Sequence, residues 1–101
     1  MPVAWLSLDK DDNQTDHFLS YLIASVQEAG NMIGGEATQL LDAAQQVPPE
    51  AILTSLINDL DSTGKEINLV LDDYQFIISQ TVHEAVAFLL EHKPSTLLHM
   101  D

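Results

Sequence analysis

The stretch Ile67 to Gln75, INLVLDDYQ, constrains this chain more than any other. Ile67, Leu69, Val70 and Leu71 follow a Gly64-Lys65-Glu66 break and run into Asp72 and Asp73. Aliphatic and β-branched residues bounded by a glycine and by aspartates read as a strand. The apolar positions do not alternate cleanly with polar ones, which predicts burial on both faces, as in a parallel sheet covered by helices.

Asp72 and Asp73 fall where that strand ends. Ligands of open parallel sheets bind in the crevice beyond the carboxyl ends of the strands, so an acidic pair there is placed to meet a cation or a metal-bound phosphate. An apolar strand followed by acidic residues has the shape of a Walker B motif. Asp-Asp is also ordinary turn chemistry, because short carboxylates accept bonds from nearby amides and tolerate unusual dihedrals. The pair by itself leaves both readings open.

A chain of 101 residues supports one domain with a single modest core. Its 16 acidic residues face three lysines and no arginine, for a formal charge of −13. Nucleic acids and anionic membranes are gripped by Lys and Arg, so neither is an expected partner. The absence of cysteine removes disulfide and thiolate chemistry and fits a cytoplasmic protein. No apolar stretch approaches ~18 residues, and the N-terminus lacks a basic region followed by an apolar one.

Val3 to Leu8, VAWLSL, reads as a first strand. A buried strand so close to the initiating Met suggests truncation. Asp9, Asp11 and Asn13 are spaced like the opening of a calcium loop, but Gln14 stands where that loop needs Gly and Ser20 where it needs Glu. A helix entry is the better reading, with Asn13 as cap and Asp16 in capping-box register. Phe18, Leu19, Leu22, Ile23 and Val26 predict an amphipathic helix from Gln14 to Ala29, stopped by Gly30 and Asn31.

A shorter helix is expected over Glu36 to Gln46, with Leu40, Leu41 and Ala44 on one side. Pro49 suits the first turn of the next, whose stripe is Ile52, Leu53, Leu56, Ile57 and Leu60. After the acidic pair, Tyr74 to Ile78 forms a connection. Ser79 or Thr81 can then cap a helix reaching about Lys93, with Val82, Ala85, Val86, Leu89 and Leu90 on its buried face. His17, His83, His92 and His99 show no metal-ligand spacing and read as surface or boundary residues. Thr96 to Met100, TLLHM, begins another strand. Strands alternating with helices predict an α/β fold with parallel pairing and right-handed crossovers.

The ordered blocks VAWLSLDKDDNQTDHFLSYLIASVQ, PPEAILTSLINDL, INLVLDDYQFI, TVHEAVAFLLEHKP and LLHM resemble the nucleotide-binding domain of MalT-like, LuxR-family transcriptional regulators, which are signal-transduction ATPases. The resemblance covers essentially all 101 residues. It implies a partial P-loop NTPase core of about three parallel strands with flanking helices. Val3 to Leu8 would be the second core strand, Ile67 to Leu71 a central Walker B strand, and Leu97 to Met100 the start of the next. Asp72 would hold Mg²⁺ through water, and Asp73 would help orient the attacking water or the metal shell. ATP and Mg²⁺ are thereby implied for an intact parent.

The departures matter as much. The family's glycine-rich loop with its lysine has no counterpart here, there is no arginine, and Gln75 stands where His is usual. Two carboxylates without an amide cradle or a basic side chain repel ATP, so the chain alone is expected to bind no nucleotide and to have no ATPase activity. A sheet lacking its P-loop strand leaves an edge open, expected along Leu97 to Met100, which invites a second copy. The remainder of the parent regulator is the other implied partner. The competing reading is a free-standing acidic interaction module. A small Mg²⁺-dependent phosphohydrolase is weaker, since adjacent carboxylates on a regular strand point to opposite sides.

Overall fold

The computed structural model describes residues 3–29, 35–43, 47–63, 67–92 and 96–100. Strand β1 (Val3–Ser7) leads through a 3-10 turn at Lys10–Asn13 into helices α1 (Thr15–Ala29), α2 (Gly35–Ala43) and α3 (Pro49–Thr63). Strand β2 (Ile67–Asp72) is followed by a 3-10 turn at Tyr74–Phe76, helix α4 (Gln80–Glu91) and strand β3 (Thr96–Met100). All pairing is parallel, in the order β1-β2-β3. Val3 lies opposite Asn68 and Ser7 opposite Asp72, while Ile67 lies opposite Thr96 and Leu71 opposite Met100.

This order decides where the helices sit. Each step from β1 to β2 to β3 moves the same way across the sheet, so right-handed crossovers put all the helices on one face. Burial follows that rule. Ala4 and Leu6 of β1 are buried while Val3, Trp5 and Ser7 are exposed. In β2, Ile67, Leu69 and Leu71 are buried, whereas Asn68, Val70 and Asp72 are only half-buried. The expectation of a strand buried on both faces is therefore corrected: among the described residues the sheet is covered on one side, and Trp5, 52% exposed, marks the open side. Consecutive apolar letters at Leu69, Val70 and Leu71 report composition, while the cover on each face depends on strand order.

The core forms between the covered face and the helices. Phe18, Leu19, Leu22, Ile23 and Val26, the stripe expected of α1, are all buried, with α1 packed along β1. Ile52, Leu53, Leu56 and Leu60 of α3 join them, and Ile57 is half-buried. In α2 the fully buried residue is Ala37, with Leu40 and Leu41 partly buried against the cluster. This nine-residue helix packs on α1 and α3, and a small side chain takes its fully buried position. Ala44 to Gln46, Gly30 with Asn31, and Lys93 with Pro94 lie outside the described residues.

Helix entries differ instructively. Pro49 opens α3 as expected. Ser79 caps α4, its hydroxyl accepting from the Val82 amide at 3.3 Å. Asn13 does not cap α1. The Gln14 carbonyl accepts the first helical bond, from Phe18 at 3.0 Å, and the capping box sits one turn earlier. There the Asp9 carboxylate accepts from the Asp11 amide, and Asp12 Oδ2 accepts from the Asp9 amide, each at 2.9 Å. Two short carboxylates three residues apart close their own turn before α1 begins. Leu90, expected on the buried side of α4, is 40% exposed.

β1 and β3 are the two edges of this sheet, so the open edge expected along Leu97 to Met100 has a counterpart at β1. No helix among the described residues is long and apolar enough to cross a membrane.

Candidate acidic site at the carboxyl end of the central strand

Asp72 is the last residue of β2, half-buried and opposite Ser7, and its carbonyl accepts from the Leu8 amide at 3.0 Å. Asp73 then leaves the strand conformation with φ 59° and ψ 38°, the one non-glycine residue of positive φ among those described. Aspartate visits this left-handed region more readily than most residues, which accounts for its use at such a corner. Its carbonyl accepts from the Phe76 amide at 3.1 Å, and its carboxylate accepts from Gln75 Nε2 at 3.3 Å. Strand alternation therefore no longer fixes the direction of the second carboxylate. The turn chemistry and the position at the carboxyl end of a parallel sheet coexist in one corner.

Asn13 holds this corner to the neighbouring loop. Its Oδ1 accepts from the amides of Ile78 at 2.7 Å and Ser79 at 2.9 Å, and its Nδ2 donates to the carbonyls of Phe76 at 2.9 Å and Lys10 at 3.1 Å. A residue read locally as a helix cap is thus a long-range clamp between the loops that follow β1 and β2. Nothing in the sequence signals a bond spanning more than sixty residues; only the parallel pairing of β1 with β2 brings those loops side by side.

A second tie joins the corner to α4. Tyr74 Oη and His83 Nδ1 are 2.5 Å apart, with rings edge-to-face at a centroid distance of 5.3 Å. His83 is therefore more than a boundary residue. Burial pushes the Tyr74 phenol above its ordinary value near 10. In the unfolded chain Tyr74 loses its proton first as pH rises, so the folded state then binds the extra proton and stability must fall. Denaturation midpoints should decline from pH 9 to 11, less in Tyr74→Phe. Parallel curves for the two proteins would contradict this assignment.

The other candidates are engaged in local structure. Asp9 and Asn13, two members of the calcium-like spacing, are committed to the turn and the clamp. Asp12 is buried, with His17 Nε2 at 3.4 Å from its Oδ1. His92 stacks on Phe88 and its Nδ1 lies 3.0 Å from the Phe88 carbonyl. The side chain of His99 lies outside the described residues. Among the described residues no group of three or more His, Cys, Asp or Glu is arranged to hold a metal. Lys10 is the single lysine among them.

No family model matches the chain. Over 97 residues it is 38% identical to the HTH-type transcriptional regulator MalT of Serratia proteamaculans. Over 95 residues it is 35% identical to the regulators of the same name from Yersinia pestis and Yersinia pseudotuberculosis. The chain is MalT-like. Each match takes in 94% of this chain and 10% of the relative, so the MalT-like chain spans about a tenth of the length of these regulators. Their names describe transcriptional regulators and no enzyme.

Proposed function

We propose that residues 1–101 form one partial domain, the Walker B part of the ATP-binding signal-transduction module of a cytoplasmic, LuxR-family transcriptional regulator. The match to the MalT regulators carries this reading. The acidic corner at the carboxyl end of β2, the middle strand of three, supports it. Asp72 and Asp73 supply the oxygen ligands that a Mg²⁺ ion takes, and in the intact protein Mg²⁺ would bridge them to the phosphates of ATP. Asp72 is the residue assigned to the metal through water, and Asp73 to the metal shell or the attacking water. The phosphates themselves need the amide cradle of a glycine-rich loop and that loop's lysine, a motif that does not occur within these 101 residues. The remainder of the regulator is the partner that completes the site and covers the exposed Val3 and Trp5.

Two results test the reading. Titration with Mg·ATP should give no saturable binding up to about 1 mM, and Mn²⁺ should broaden the amide resonances of Asp72 and Asp73 first, an effect lost in Asp72→Asn. The coding sequence upstream should encode a glycine-rich loop ending in Gly-Lys-Thr or Gly-Lys-Ser within roughly 40 residues. Micromolar ATP binding by this chain, or a stop codon directly ahead of Met1, would overturn it.

A further inference from the structure

The two edges of the sheet are not equivalent. In a parallel pair the backbone groups of an edge strand alternate between its partner and the outside. Leu8 donates its amide to Asp72 of β2 at 3.0 Å, so the amide of Ser7, one residue earlier, faces outward. That outward amide is occupied: it donates to Tyr21 Oη at 2.8 Å. Tyr21 belongs to α1, with its ring partly buried against the core, so the hydroxyl is delivered by a packed side chain. By the same alternation Val3 and Trp5 face their amides outward, on a strand whose open side is apolar and half exposed. Such a strand is a template for pairing with another chain, and proteins block these edges with specific devices.

We propose that Tyr21 is an edge guard: its hydroxyl occupies the Ser7 amide and stops a second copy of this chain from pairing along β1. An edge needs a run of free donors and acceptors in register, and a hydroxyl bonded to the amide at one end takes a donor out of that run on a strand of only five residues. The competitor is a second β1 related by a two-fold axis, since Val3 and Trp5 offer the same surface to their own copy.

Tyr21→Phe tests this, because it keeps the ring and its packing and removes only the hydroxyl. Amide hydrogen exchange and light scattering are read across a concentration series in about 0.15 M salt, where charge repulsion is screened equally for both proteins. At low concentration the Ser7 amide of the variant should exchange about tenfold faster than in the parent. As concentration rises, the variant should associate more than the parent and gain protection at Val3 and Trp5. Unchanged Ser7 exchange, association no stronger than that of the parent, or association that protects β3 and not β1 would each overturn the proposal.

Discussion

Truncating Leu71 to alanine is expected to cost about 2–5 kcal/mol of unfolding free energy, whereas truncating its neighbour Val70 costs at most about 1 kcal/mol. The two residues are adjacent on the central strand and similar in character, and they differ in what lies over them. Leu71 is fully buried beneath the helices, and its deletion leaves a cavity the surrounding side chains cannot fill. Val70 lies on the half-open face in register with Trp5, so it has less burial to lose. Urea denaturation followed by circular dichroism measures both values, with the slope reporting whether unfolding exposes the same surface. A domain of this size has only about 5–15 kcal/mol in total, so Leu71→Ala can leave a chain too weak to measure. Ile67→Val, at about 0.5–1.5 kcal/mol, then provides the milder comparison on the same face. Equal costs at positions 70 and 71 would mean that the second face is covered as well.

Asn13→Ala is expected to cost about 2–4 kcal/mol, an unusually large effect for a loop residue outside the hydrophobic core. One side-chain amide makes four bonds here, three of them to the segment that follows the acidic corner, and each contributes about 1 kcal/mol net. Asn13→Asp separates the two halves of the clamp. It keeps an acceptor for the amides of Ile78 and Ser79 but sets a carboxylate against the carbonyls of Phe76 and Lys10, so its stability should lie between the other two proteins. Hydrogen exchange supplies the local readout: the Ile78 and Ser79 amides should lose protection in Asn13→Ala and retain most of it in Asn13→Asp. Wild-type stability for the alanine variant would show that the corner is held from elsewhere, through Tyr74 and His83.

The elements were legible because their signals are local. Phe18 to Val26 recur at three and four, Pro49 fixes the start of α3, and Ser79 sits ahead of an apolar stripe; each feature acts within one or two turns of chain. The same locality misplaced Asn13. A cap at position 13 and a capping box at Asp9 and Asp12 satisfy similar rules, and what settles the choice is the arrival of Phe76 and Ile78 beside it. The acidic corner was half legible. Its place after the strand was plain from INLVLDD, whereas the left-handed turn at Asp73 and the bond from Gln75 depend on how the chain leaves β2.

The sequence by itself determined that the chain builds an α/β unit of parallel strands, with an acidic pair closing one strand and a strong excess of carboxylates over lysines. Periodicity, punctuation and charge set those features, and all three are properties of neighbouring residues. Only the tertiary structure decided that, among the described residues, the helices lie on one side and Trp5 faces the other, and that Asn13 and Tyr21 bind partners in distant elements. The physical reason is the strand order: two crossovers of one hand, taken in one direction, cover a single face and bring the loops after β1 and β2 together at the same end.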